Sequence, residues 1–152
     1  MGSKLLNPNN KNMLTQEAMN VTTIGSTGNQ TLNASITTWN DEWSYRDNVG
    51  NQSNSSNEVP VWRKHKTFVW KDKVNATSGA YSTNVSETNS YFDWGLGTPL
   101  DTRWQNVSEI TRYTHWSSPV ESKDINNNFA SSKMTDDFSK VIAGGNARYT
   151  EM

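Results

Sequence analysis

Cysteine is absent from this 152-residue chain, and with it go disulfide staples, thiolate nucleophiles and Cys-based zinc sites. That absence leaves the redox compartment open. Aliphatic material is scarce as well. Leu, Ile, Val and Phe total 25 residues, about 16% of the chain, under the ~20% level that accompanies disorder. No apolar run approaches the ~18 residues of a membrane-spanning helix. Charge of one sign is missing too, since 14 Lys and Arg face 15 Asp and Glu. A balanced chain lacks the self-repulsion typical of disordered segments. It also lacks the basic face that a phosphate backbone selects, so nucleic acid is not an expected partner. The opening residues Met1-Gly2-Ser3-Lys4-Leu5-Leu6-Asn7 hold no long apolar stretch and predict no signal peptide.

What the chain does have is rings. Seven Trp, five Tyr and four Phe can each remove roughly 150–250 Å² from water when buried. A core is therefore available, but one built on aromatics rather than on aliphatic layers. Asn (20), Ser (18) and Thr (17) make up another third of the residues. Their side chains compete with helical hydrogen bonding and favour turns, caps and strand faces. Eight Asn-x-Ser/Thr triplets begin at Asn20, Asn29, Asn33, Asn51, Asn54, Asn75, Asn84 and Asn106. In a secreted eukaryotic protein they would be glycan acceptors; a chain of this composition also generates them by chance.

Read along its length, the chain divides into an arm over 1–20, a β domain over 21–118, and a C-terminal arm over 119–152. Asn7-Pro8-Asn9-Asn10 is turn-forming and without periodicity. Leu32, Ala34 and Ile36 alternate with polar residues as a half-buried strand does. Val59 to Val74 is rich in β-formers, in one bent strand or two. Ala76-Thr77-Ser78-Gly79 marks a turn, and Tyr81, Thr83 and Val85 predict a further short strand. Between Val107 and Trp116 the β-branched content favours strand over helix. Met134, Phe138, Val141 and Ile142 fall at helical spacing, with Thr135 as a cap and Gly144-Gly145 as a stop, and predict a short helix over about 135–143. The fold class expected is mainly β: a single antiparallel β-sandwich or barrel-like domain, with an extended N-terminal arm and a short C-terminal helix.

Catalytic patterns are weak. His65 sits among Arg63, Lys64 and Lys66, and His115 lies two residues before Ser117 without the elbow that activates a serine. Carboxylates are scattered, and neither metal-binding spacing nor a phosphate-cradling glycine loop occurs. The expectation is no enzyme, no cofactor and no metal site. The basic, aromatic stretch Trp62-Arg63-Lys64-His65-Lys66-Thr67-Phe68-Val69-Trp70 stands out. Its alternating cations read as the guard of an exposed strand edge; alternatively, its rings could stack on sugars. Trp62, Arg63, Lys64, Lys66, Trp70, Trp94 and Trp116 are thus the candidate contact surface. Glycans are the alternative ligand, in a sugar-binding β-sandwich.

The thin apolar supply predicts too little burial to order both ends, since each fixed residue costs about 1–2 kcal/mol of backbone entropy. The expectation is therefore a structural subunit of a repeating assembly, a virion component such as a phage capsid, decoration or tail protein, or another extracellular assembly. Its partners would be other protein subunits, touched through Leu5, Leu6, Met13, Leu14, Phe138, Val141 and Ile142.

Overall fold

The structure is a computed structural model. It describes residues 17–25, 30–41, 43–47, 50–53, 61–114, 116–135 and 139–152, with the backbone alone for 44–47 and 50–53. The chain is mainly β. Two compact units are present, one from the residues up to Trp39 together with Thr67–Val107, the other from Asn40–Lys66 and Ser108–Met152. The strands are β1 (Met19–Ile24), β2 (Gln30–Asn40), β3 (Ser44–Asp47), β4 (Gly50–Ser53), β5 (Arg63–Trp70), β6 (Phe92–Asp93), β7 (Thr98–Pro99), β8 (Trp104–Tyr113), β9 (Pro119–Asp124), β10 (Phe129–Met134) and β11 (Val141–Gly145). Among the described residues a helix, α1, spans Val85–Ser90, and a 3-10 turn spans Tyr149–Glu151. The main sheet has the order β1-β2-β5-β8-β9-β10-β11 and is open, its path ending at β1 and at β11.

In the first unit, β2 carries the predicted alternation with one change of phase. Ala34, Ile36 and Thr38 are buried, but so is Thr31. The pairing explains it: Thr22 faces Asn33 while Thr23 faces Thr31. Leu32 is the extra residue of a β-bulge, and a bulge flips every side chain beyond it. The core here is aromatic, as the composition implies. Phe68, Trp70, Phe92 and Trp104 close around Ala34 and Ile36, with edge-to-face contacts between Trp70 and Trp104 (5.2 Å) and between Phe68 and Phe92 (5.3 Å). Such geometry sets the positive ring edge against the negative face. The buried indole N–H of Trp104 donates to the Thr88 carbonyl at 3.0 Å.

The short strand expected over Tyr81–Val85 gives way to α1. Asn84 accepts the Glu87 N–H and the Glu87 carboxylate accepts the Asn84 N–H. This reciprocal cap satisfies two donors that would otherwise be orphaned at the helix start. Of the expected strand, isolated bridges remain from Tyr81 to Val74 and from Asn84 to Gln30.

In the second unit, a smaller core joins Trp43 and Tyr113, with Ile110 packed against them. β3 pairs antiparallel with β4, and Tyr45 meets Tyr113 in a single parallel bridge. The segment beyond residue 118 supplies β9, β10 and β11. The helix expected over 135–143 is corrected here. Val141–Gly145 is a strand, running antiparallel to β10 with Ser131 opposite Gly145 and Lys133 opposite Ala143. Thr135 and Lys140 close the hairpin, the Thr135 N–H donating to the Lys140 carbonyl at 2.8 Å. A helix of nine residues gains too few hydrogen bonds to stand alone, whereas β10 offers a ready ladder to a β-branched pair.

Candidate functional site

Leu5, Leu6, Met13, Leu14, Phe138 and His115 lie outside the described residues. The structure disperses the rest of the predicted contact surface. Trp70 belongs to the aromatic core of the first unit and is fully buried. Trp94, in the same unit, is half-buried and donates its indole N–H to Asn89 at 3.1 Å. In the second unit Trp62 and Arg63 are buried, Lys64 is exposed and Lys66 is half-buried. Of the seven tryptophans Trp116 alone is exposed, at 73%.

The edge-guard reading of the basic stretch is also corrected, because β5 lies inside the sheet order between β2 and β8. An interior strand needs its cations compensated, not presented. Glu109 on β8 lies 3.4 Å from His65 Nε2 and 3.9 Å from Lys66 Nζ of this strand, and 3.1 Å from Lys123 Nζ of β9. Desolvation pushes the Glu109 carboxyl up, yet the hydrogen bond from Lys123 and the surrounding cations hold it below the usual carboxylate value. Tyr113 is driven up to about 12 by burial, and its hydroxyl donates to the Lys64 carbonyl at 2.7 Å.

Arg103 organises a second charged cluster, in the first unit. Its guanidinium forks onto Asp101 with bonds of 3.0 and 2.8 Å and lies 4.7 Å from the Trp70 ring and 4.9 Å from Tyr91. The hydrogen bonds from Arg103 pull the Asp101 carboxyl down to about 2. Burial raises the neighbouring Asp72, but the Thr83 hydroxyl, the Lys73 N–H and Arg103 outweigh it and lower its carboxyl overall. One guanidinium thus ties two carboxylates and lies against two rings, which is the arrangement of a structural clamp.

Three features of the second unit remain open to solvent. The first is β11, exposed along its whole length, with Val141 at 61% and Ile142 at 65%. The second is the turn joining β8 to β9, which carries Trp116. It is cinched by hydrogen bonds from Thr114 N–H to the Ser118 carbonyl (2.9 Å) and from Ser117 N–H to the Thr114 carbonyl (3.1 Å). Buried Arg63 donates from Nε to Ser117 Oγ at 2.9 Å. The third is a cleft of about 430 Å³ along β8, β9 and β10, lined among others by Ile110, Val120, Ala130, Ser122, Ser132 and Glu121.

Glu121 also anchors the chain's end. Its Oε1 accepts the Thr111 hydroxyl at 2.5 Å and its Oε2 accepts the Tyr149 N–H at 2.7 Å. The Ser131 hydroxyl donates to the Ala147 carbonyl at 2.7 Å, and Arg148 stacks over Phe129 at 4.5 Å. Residues 147–151 are thus held by their own unit, through polar bonds that the apolar count does not register. Among the described residues no group of three or more His, Asp or Glu side chains is placed to hold a metal ion. No helix among them is long and apolar enough to cross a membrane. No protein family, curated protein or solved structure matches the chain.

Proposed function

We propose that this chain is a non-enzymatic structural subunit of a repeating protein assembly, of the kind that builds virions, and that β11 is where a neighbouring subunit joins the sheet. The observation that carries this reading is the make-up of that strand. Val-Ile-Ala-Gly-Gly has no charge and no proline, two of the usual guards of a sheet edge, and among the described residues it has a partner strand on one side only. A bulge at Ile142, where Lys133 faces Ala143 but Met134 faces Val141, leaves Ala143 to Gly145 in regular register.

The two glycines are the telling part. Neither has a positive φ, and among the described residues a side chain at Gly145 would meet nothing within 4 Å and one at Gly144 only the Ser131 carbonyl, at an ordinary 3.8 Å. The fold itself therefore gives no reason for glycine here, though glycine weakens a strand. Glycine in a strand also marks close approach by another backbone, and strand addition supplies one. The contact is accordingly assigned to the edge strand and not to the last residues, which Glu121 and Ser131 hold. A sugar platform would need several exposed rings, and Trp116 is the single exposed tryptophan.

Sedimentation velocity over a range of concentrations tests this. The full chain should assemble, and Gly145→Lys should stay monomeric while melting no lower than the parent. A parent that is monomeric at every concentration, or a Gly145→Lys chain that assembles equally well, ends the proposal.

A further inference from the structure

The main sheet has a second end, and it is no better guarded than the first. β1 reads Met-Asn-Val-Thr-Thr-Ile, without charge or proline, and among the described residues it has a partner strand on the β2 side only. Asn20 and Thr22 to Ile24 are exposed, Ile24 at 40%. The bulge of this pair falls on β2, at Leu32, so β1 itself carries no extra residue. Charge, proline and bulges are usual means of keeping an edge from pairing, and β1 has none of the three.

The ladders fix which backbone groups each edge presents. The Thr37 N–H donates to the Ala18 carbonyl at 2.9 Å, while Met19 stands opposite Ile36. Bonded and unbonded positions alternate along an antiparallel pair. Ala18 and Asn20 therefore turn their backbone groups towards β2, and Met19 and Val21 turn theirs outward. On the other edge the Thr135 N–H donates to the Lys140 carbonyl, which makes Lys133 and Ser131 the residues of β10 bonded to β11. Ala143 and Gly145 lie opposite them and face inward, so Gly144 faces outward. An antiparallel addition with Gly144 opposite Val21 joins two outward-facing residues. It also sets exposed Val141 and Ile142 beside exposed Ile24 and Thr23, and such cross-strand pairs are what stabilise a sheet. A β11 paired with its own copy about Gly144 would set Gly145 against Ala143, with little side chain to pack, and would leave β1 bare.

We infer that β11 of one copy pairs with β1 of the next, so that the sheet continues from chain to chain. Two different edges of one chain make a head-to-tail contact, which repeats without a two-fold axis. The inference rests on the assembly reading above and names the strand that receives β11. Sedimentation velocity on the full chain, with near-UV circular dichroism to show that each variant is folded, provides the test. Thr22→Lys and Thr22→Glu each place a charge on β1 at an exposed position. Each should weaken self-association at least about tenfold, the scale of losing one or two ladder bonds. An equimolar mixture of Thr22→Lys and Gly145→Lys keeps one intact β11 and one intact β1, and should form a 1:1 dimer that grows no further. If a folded Thr22 variant assembles like the parent while Gly145→Lys does not, β1 is refuted as the receiver and the β11 edge stands. If the two lysine variants do not complement each other, β1 is likewise refuted. A Gly145→Lys chain that assembles like the parent, or a parent that never associates, removes both readings.

Discussion

Replacing Glu121 should free the C-terminal turn without melting the sheet. The buried carboxylate accepts one bond from the Thr111 hydroxyl and one from the Tyr149 N–H. Hydrogen bonds to a charged acceptor are worth about 1.5–3 kcal/mol, roughly twice their neutral counterparts. In Glu121→Gln the amide oxygen can still accept from Tyr149, while the amide NH2 donates to a Thr111 hydroxyl that has turned to accept. Both bonds survive as neutral ones, so the share lost at Tyr149 is about 1 kcal/mol. Glu121→Ala removes the acceptor altogether, at about 2 kcal/mol. Read as hydrogen exchange, the Tyr149 amide should lose protection about fivefold in the Gln variant and about thirtyfold in the Ala variant. Amides of β8 to β10 should change much less, because the turn can detach and leave the sheet paired. Unchanged exchange at Tyr149 in both variants would refute the clamp. Equal acceleration throughout β8 to β10 would show instead that Glu121 supports the sheet.

Two further outcomes follow from the first unit. Arg103→Met should cost about 2 kcal/mol at pH 7 in urea denaturation, mostly from lost stacking on Trp70 and Tyr91, since solvent screening limits the ion pair with Asp101 to about 1 kcal/mol or less. Because the folded-state Asp101 carboxyl is lowered to about 2 from 3.8, its contribution is present above pH ~3.8 and is lost as pH falls through about 2; the gap between parent and variant should narrow over that window, and a gap independent of pH would remove the ion pair from the account. Asn84→Ala breaks the reciprocal cap of α1 and should cost about 1 kcal/mol, seen as a lower thermal midpoint, with Asn84→Asp retaining most of the parent's stability.

The second of these rests on a signal that could be read in the sequence. Asn84 and Glu87 stand at capping-box spacing, and that cap prevails over the strand-like alternation of Tyr81, Thr83 and Val85. Other local signals were sound on their own. The alternation of Ala34 and Ile36, the turn at Ala76 to Gly79, and the β-branched run after Val107 each depend on neighbours a few residues apart. The helix expected over 135–143 shows where such reasoning stops. Val141 and Ile142 sit at helical spacing from Met134, and what overrides it is the ladder with β10, of which Met134 is only the last residue. Arg63 and Ser117 are 54 residues apart, so nothing in the neighbourhood of either reveals their bond.

Composition by itself determined that this chain would be β-rich and that its core would be aromatic, because so few aliphatic side chains leave rings as the only large apolar surface to bury. It could not determine which rings those would be. Trp70 and Trp116 are the same residue type in similarly polar segments, yet one is fully buried and the other stands in solvent. That difference belongs to tertiary structure, since burial depends on what the remote strands bring to each ring. The same holds for the chain's end. An apolar count implied that it needed a neighbour, and the fold supplied Glu121 and Ser131 instead, from strands whose positions only the completed sheet defines.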